Sequence, residues 1–319
     1  MNSTREERIE QALFRGGAHT LENAAYREMV RVLTGTLLQD DLGAGDLTAR
    51  ALRLQDRNVH AEVISRQGGV AAGLDEFAFL LREHGIATTY QKRDGQLIRP
   101  DDALLLLEGA ETKLLALERV GLNLLQRMSG ISTAARCLQE RARRRRDSVR
   151  IVGTRKTPWG LLDKRALHLG GVGTHRLGLR DAILIKNNHL ALLAKTEEEA
   201  APVAIERAWK SRGEAAFIEI EVRSEAAARA AAQSFRRLQQ EAPEEYPCLL
   251  MPDNMTPGRI SGIVEALQQE KLLDSVLIEA SGGISESNVE AYAASGVDAI
   301  SVGALTHSAR ALDICLRIS

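Results

Sequence analysis

From residue 149 onward, short apolar runs recur with helix-patterned stretches between them. The runs are 149–153, 182–186, 217–222, 248–251, 275–279 and 299–302, and helical patterns cover 197–211, 224–240, 257–270 and 285–294. Strands alternating with helices are joined by crossover connections, which makes neighbouring strands parallel. Six such runs fit an α/β barrel that is one strand short or incompletely closed. An open doubly wound sheet is the competing topology, and the first run is not followed by the glycine fingerprint of a dinucleotide-binding turn, which counts against it.

Before residue 149 the pattern differs. Leu21, Ala25, Met29, Leu33 and Leu37 lie at helical spacing, and the turn Asp41-Leu42-Gly43-Ala44-Gly45-Asp46 ends that helix. Runs at 60–64 and 103–107 read as strands, 74–84 as a helix and Asp94-Gly95 as a tight turn. A long helical pattern spans 112–145, interrupted near Ser129-Gly130. This is an α+β unit. The first 20 residues are polar and are expected to be loosely held.

The overall charge excludes some partners. Lys and Arg number 42 against 43 Asp and Glu, a formal net charge of -1, so any anion site must be built locally. Arg141, Arg143, Arg144, Arg145 and Arg146 read as a cationic helix end facing solvent. Aromatic residues make up 3% of the chain and do not interleave with that run, which argues against nucleic acid as a partner. Cys137, Cys248 and Cys315 are scattered and make no metal-binding spacing. The N-terminal stretch lacks the apolar core of a signal peptide, and no apolar run approaches the roughly 20 residues of a membrane span. The expectation is a cytoplasmic enzyme or binding protein.

Polar residues fall at the ends of the apolar runs. Lys156 lies just past the first, Lys186 ends the second, Glu221 stands near the end of the third and Asp253 follows the fourth. Ser281-Gly282-Gly283 and Val302-Gly303-Ala304 follow the last two. In a parallel α/β barrel all these positions open onto one face, which is where active sites are built. Glu219 and Glu221 are two apart, so alternation points both into the barrel, where carboxylates need cationic or metal partners. Lys156 and Lys186 are the expected partners. Ser285-Glu286-Ser287-Asn288 reads as a helix start that would lend its positive end to an anion held by the glycines before it. Thr154-Arg155-Lys156-Thr157 and His175-Arg176 add cations, so the expected ligand carries several negative charges.

In this order and setting the chain resembles the quinolinate phosphoribosyltransferase family. The stretches that carry the resemblance begin with Asp41–Asp46, Glu118-Arg119, Leu122-Asn123 and Ser129-Gly130-Ile131. They continue with Thr154–Thr157, His175-Arg176, Ile185-Lys186-Asn187-Asn188-His189, Glu219–Val222 and Asp253-Asn254-Met255. Glu279–Ile284, Gly296-Val297-Asp298 and Val302–Ser308 complete the set. The resemblance implies an N-terminal α/β sandwich domain over 1–130, an open α/β barrel over 131–305 and a C-terminal segment, 306–319, that returns to the first domain. It implies a reaction in which quinolinate and phosphoribosyl pyrophosphate, with Mg²⁺, give nicotinate mononucleotide, pyrophosphate and CO₂, a step of NAD biosynthesis. Arg119, Thr154, Arg155, Lys156, His175, Arg176 and Lys186 would hold substrate, Glu221 and Asp253 would face the ribose and its metal, and Ser281, Gly282, Gly283, Val302, Gly303, Ala304 and His307 would receive the phosphate end. Lys156, Lys186, Glu221 and Asp253 would be catalytic. It also implies a homodimer with shared active sites, or a higher assembly, in which Arg119 acts on the neighbour.

Two departures stand out. The resembled motif has Asp where Asn187 stands, and the loop Thr157-Pro158-Trp159-Gly160 is about two residues short. Trp159 is expected to pack across the site mouth. These departures keep open a related phosphoribosyltransferase acting on another heteroaromatic acid, and a non-catalytic anion-binding barrel is the reading from a different class. Stretches 190–217 and 239–246 are longer than the pattern and read as surface elaborations.

Overall fold

The computed structural model of the protein describes residues 4–242 and 245–318. Its helices are α1 (Arg5–Leu13), α2 (Ala24–Leu42), α3 (Leu47–Ala51), α4 (Leu74–Glu83), α5 (Glu111–Arg143), α6 (Leu161–Leu169), α7 (Asn187–Leu190), α8 (Glu197–Lys210), α9 (Glu225–Gln240), α10 (Pro257–Gln269), α11 (Val289–Ala293) and α12 (Ala304–His307). Its strands are β1 (Asn58–Ser65), β2 (Gly69–Val70), β3 (Ala87–Tyr90), β4 (Leu97–Ile98), β5 (Ala103–Ala110), β6 (Arg150–Val152), β7 (Ile183–Ile185), β8 (Ile218–Val222), β9 (Cys248–Pro252), β10 (Leu277–Ala280), β11 (Ala299–Ser301) and β12 (Ile314–Ile318). The chain divides into two compact units. One holds residues up to Arg15 with Cys137–Pro158 and Val172–His307, and the other holds Gly16–Arg136, Trp159–Gly171 and the residues from Ser308 on.

The first unit is built on a six-stranded parallel sheet of order β6-β11-β10-β9-β8-β7. Every residue of β8, β9 and β10 is buried, as expected of parallel strands covered on both faces. Val152, Ala182, Phe217, Leu249, Leu277 and Ala299, one from each strand or its lead-in, meet in one apolar cluster. A flat sheet could not bring its first and last strands to one cluster, so this sheet is rolled. No ladder joins β6 to β7 among the described residues. Gly173 instead makes a parallel bridge to Val152, with 2.9 Å bonds to Gly153 N and Ile151 O.

The cluster is completed by Ile9, Ala12 and Leu13 of α1, none more than 1% exposed. This corrects, for residues 4–14, the expectation that the first 20 residues are loosely held; residues 1–3 lie outside the described residues. A capping box starts the helix: Thr4 Oγ1 accepts from Glu7 N at 3.2 Å and Glu7 Oε2 accepts from Thr4 N at 2.7 Å. Arg5 then donates to the Asp298 carboxylate and to the carbonyls of Leu273 and Val276, while Arg8 donates to Asp274 O at 2.9 Å. The sequence looks polar because only three small-to-medium apolar side chains are needed to fill the sheet interior. The basic residues around them meet carbonyls, the buried Asp298 and, for Arg8, Glu245 at 3.3 Å.

The second unit carries an antiparallel sheet of order β12-β1-β5-β3 and a small β2-β4 pair. The C-terminal strand pairs with β1 from Ala61↔Ile318 to Ser65↔Ile314. Phe77, Leu81, Leu104, Leu105, Leu114 and Leu125 form its core. The helical pattern expected to break near Ser129-Gly130 is one continuous helix, α5. Gly130 is there for contact, not for a turn: a Cβ would lie 1.9 Å from Arg310 O. Gly121 serves the same end against the Phe77 ring.

Two further expectations change. Residues 159–171, expected in the barrel, belong to the second unit. Asp163, fully buried, takes a two-point bond from Arg127 at 2.8 Å each, and Ser132 Oγ donates to Ala166 O at 2.6 Å. Trp159 lies under the Arg127 guanidinium, 5.3 Å from its ring centre. Stretch 190–217 is no mere elaboration, since α8 buries Ala200, Ala201, Ala204, Ile205 and Trp209. Stretch 239–246 includes 243–244, which fall outside the described residues.

If α1 is part of the sheet interior, Leu13→Ala should lower the unfolding free energy by about 2–5 kcal/mol, as for other buried leucines. Urea denaturation of the two proteins measures this. A change of only a few tenths of a kcal/mol would mean that the helix is not docked.

Candidate active site

The C-terminal ends of the six parallel strands surround a cavity of about 490 Å³. Nine residues anticipated from sequence line it: Thr154, Arg155, Lys156, His175, Arg176, Lys186, Glu221, Asp253 and Ser281. Leu184, Asn187, Asn188, Arg223, Met251, Asn254, Glu279 and Ser301 also line it and were not anticipated as site residues. Period-two alternation could have found Glu279 and Ser301, which sit among apolar neighbours on β10 and β11 as Glu219 does on β8.

The lysines and acids pair differently from expectation. Lys186 Nζ lies 3.3 Å from Glu221 Oε1, and Asn187 N donates to Glu221 Oε2 at 3.3 Å. Glu219, fully buried, has no lysine partner; His175 Nε2 is 3.0 Å away and also lies 3.3 Å from Glu279. Strand length explains the difference, since Glu219 sits too deep for a side chain rooted at the mouth. Lys156 follows β6 in an exposed loop, its N–H bonded to Thr154 Oγ1 at 3.1 Å and its carbonyl accepting from Thr306 Oγ1 at 2.8 Å.

His175 adopts a left-handed backbone, φ 55°, unusual for a residue other than glycine. Its N–H donates to Leu13 O at 3.0 Å, so the N-terminal helix holds it in place. Burial opposes charge on its ring, but Glu279 and Glu219 outweigh burial and draw its pKa up to about 9. The Arg176 N–H, however, is aimed at Nδ1 from 2.7 Å and requires that lone pair. A ring proton therefore sits on Nε2, 3.0 Å from Glu219 and 3.3 Å from Glu279. Nε2 and the two carboxyl groups lie within 4.8 Å of one another. Burial and the charge of Glu279 push the Glu219 carboxyl up to about 7.

The glycine turns are arranged unequally. Gly282, φ 97°, allows Asn254 to approach; a Cβ there would lie 2.4 Å from Asn254 Oδ1. Gly283 is open, with nothing within 4 Å of a Cβ. The expected helix start at 285 is absent: Asn288 Oδ1 accepts from Ser285 N at 2.8 Å and Asn288 Nδ2 donates to Gly283 O at 3.0 Å, and α11 begins only at Val289. The asparagine closes a local turn ahead of the helix. Gly303 stands beside Lys156 and His307, with a Cβ about 3.3 Å from each side chain. Val302 is buried, Ala304 starts α12 and His307 is exposed. Arg119 belongs to the second unit, on α5, with its side chain 57% exposed and 3.9 Å from Glu118. Of the arginine run, Arg141 and Arg145 pair with Glu290, and Arg146 donates to Val297 O.

Glu221 and Asp253, both at the cavity, are hard oxygen donors, one at the end of β8 and the other just past β9. A pair of carboxylates that leaves most positions to substrate phosphates suits Mg²⁺.

Residues 46–129 match the quinolinate phosphoribosyl transferase N-terminal domain, and residues 131–317 match the C-terminal domain of the same family. The chain belongs to the quinolinate phosphoribosyltransferase family. Among curated relatives, a Methanothermobacter thermautotrophicus protein named "Probable nicotinate-nucleotide pyrophosphorylase (carboxylating)" is 37% identical over 295 residues, 92% of this chain and 97% of that one. The Mycobacterium leprae nicotinate-nucleotide pyrophosphorylase (carboxylating) is 35% identical, over 88% of this chain and 93% of that one. Among solved structures, the nicotinate-nucleotide pyrophosphorylase from Francisella tularensis superposes with a TM-score of 0.78 at 27% identity, covering 92% of this chain and 96% of that one. No helix among the described residues is long and apolar enough to cross a membrane.

The raised Glu219 carboxyl has a consequence for stability. A carboxyl raised from its ordinary value near 4.5 to about 7 keeps its proton in the folded state while the unfolded chain loses it. Its contribution therefore falls as pH rises from 4.5 to 7. Glu219→Gln should gain stability relative to the parent across that window, measured by urea unfolding at each pH. A constant difference between the two proteins would show that Glu219 is ionised throughout.

Proposed function

We propose that this chain transfers the phosphoribosyl group of phosphoribosyl pyrophosphate to quinolinate, releasing pyrophosphate and CO₂ and forming nicotinate mononucleotide for NAD biosynthesis. The observation that carries this reading is the convergence of Arg155, Lys156, Arg176 and Lys186 with Glu221 and Asp253 on one cavity, in a chain that belongs to this family. Quinolinate is a dianion, and a planar guanidinium fork matches a carboxylate in two-point contact. Arg155 and Arg176 suit that task.

The acids face the sugar. As the pyridine nitrogen forms its bond to the anomeric carbon, the bond from that carbon to the pyrophosphate oxygen breaks. Positive charge grows on the ribose, and the carboxylates of Glu221 and Asp253 oppose it. Mg²⁺ held by the same two residues would neutralise the departing diphosphate. The pyridinium then loses its 2-carboxylate as CO₂. The electron pair left on the ring carbon is stabilised by the adjacent cationic nitrogen and takes a proton, for which the ammonium groups of Lys156 and Lys186 are at hand. The exposed backbone of Gly283 and the turn at Gly303 receive the 5′-phosphate.

The assembly belongs to the same reading: a cytoplasmic homodimer in which Arg119 completes the neighbour's site, with no nucleic-acid or membrane partner. Mass-spectrometric detection of nicotinate mononucleotide from quinolinate and phosphoribosyl pyrophosphate tests the reaction. Turnover of another heteroaromatic acid in place of quinolinate would move the assignment to a related transferase. Lys156→Ala should reduce turnover by roughly 10²-fold or more with an unchanged melting temperature; undiminished turnover would overturn the placement of the site. Mixing Arg119→Ala subunits with Lys156→Ala subunits should restore part of the activity, because one of the two sites in a mixed dimer is then intact. No recovery would mean that each subunit's site is self-contained.

A further inference from the structure

The departure at residue 187 meets an unanticipated arginine at the cavity rim. Arg223 directly follows β8, Asn187 directly follows Lys186 at the end of β7, and both line the cavity. The Asn187 amide sits between Arg223 and Glu197. With its oxygen toward the arginine it accepts from Arg223 Nε at 2.7 Å and from Nη2, and its nitrogen donates to Glu197 Oε1 at 3.1 Å. The opposite orientation would set oxygen against carboxylate and NH₂ against guanidinium, so the network dictates this one. Glu197 also accepts from the Arg223 backbone N–H at 3.0 Å, while its carboxylate stays 3.9 Å from the Arg223 Nε.

Charge explains why Asn suits this place. An aspartate at 187 would put a second carboxylate about 3 Å from Glu197, and together they would cancel the arginine. The neutral amide orients the guanidinium through two of its five N–H groups, leaves Glu197 as its one carboxylate partner among the described residues, and leaves the other three N–H groups to meet a ligand. The arginine also stands on the sugar side of the cavity. Asn187 N is bonded to Glu221, and Asp253 N donates to Val222 O, the residue before Arg223, at 3.1 Å.

We propose that Arg223, oriented by Asn187 and Glu197, is an anion contact for the diphosphate group, both in phosphoribosyl pyrophosphate and in the pyrophosphate product. The inference rests on the reaction proposed above. Titration calorimetry of the full chain with inorganic pyrophosphate and Mg²⁺ reads it without turnover, and steady-state kinetics complement it. Arg223→Gln should weaken pyrophosphate binding about tenfold or more and raise the KM for phosphoribosyl pyrophosphate, leaving the KM for the acid acceptor unchanged, and Arg223→Lys should recover part of the loss. Asn187→Asp should weaken binding severalfold. A purely structural role predicts the reverse: a shifted melting temperature with parental pyrophosphate affinity in both variants, and that result overturns the proposal. So does failure of the parent protein to bind pyrophosphate. If the parent binds pyrophosphate and Arg223→Gln does not, yet no nicotinate mononucleotide forms from quinolinate, the acceptor assignment fails and the role of Arg223 stands.

Discussion

A rolled parallel sheet with two unpaired edges must satisfy those edges and fill its interior. Here the segment 172–175 caps the β6 edge and α1 fills the interior, and the two are tied together. Gly173 bonds to β6, Thr174 Oγ1 accepts from Arg15 N at 3.1 Å, and Leu13 O accepts from His175 N. A Cβ at Gly173 would lie 3.0 Å from Leu13 O and 2.7 Å from Val152 Cγ1, so this junction tolerates only glycine. The left-handed turn at His175 follows from the junction, and it sends the imidazole inward while Arg176 faces the cavity. Two substrate-binding candidates thus owe their positions to an N-terminal helix that contributes nothing to the cavity itself.

Much of this fold is legible because parallel strands carry their own signal. All six apolar runs of the parallel sheet became strands within a residue or two of their expected bounds, and the helices at 197–210, 225–240 and 257–269 lie where periodicity put them. The errors have a common cause: interactions distant in sequence. Nothing in Arg5–Leu13 announces that three apolar residues will close a sheet whose strands begin 140 residues later. The switch of 159–171 to the other unit depends on Asp163 meeting Arg127, a pair with no local signature. Gly130 in α5 looked like a break because a glycine required for close backbone contact and one required for a turn are the same letter. At 285–288 the sequence Ser-Glu-Ser-Asn satisfies a capping pattern, but Asn288 spends its side chain on Ser285 N and Gly283 O and delays the helix.

The site was legible to the extent that strand ends are. Lys156, Lys186, Glu221 and Asp253 face one cavity because β6 to β9 are parallel and in register. Partner choice was not legible, because it depends on depth. Glu219 and Glu221 share a face of β8 and differ by two residues, about 7 Å along the strand. At the mouth, Glu221 meets Lys186 and retains an exposed edge for a ligand. At the lower level, Glu219 is sealed beside Glu279 and His175, where two charged carboxylates could not coexist without solvent. The same residue type on the same face therefore lines the cavity in one case and is sealed beneath it in the other. What separates them is the distance to water, and that distance is set by how far the loops after β6, β7 and β9 rise above the sheet.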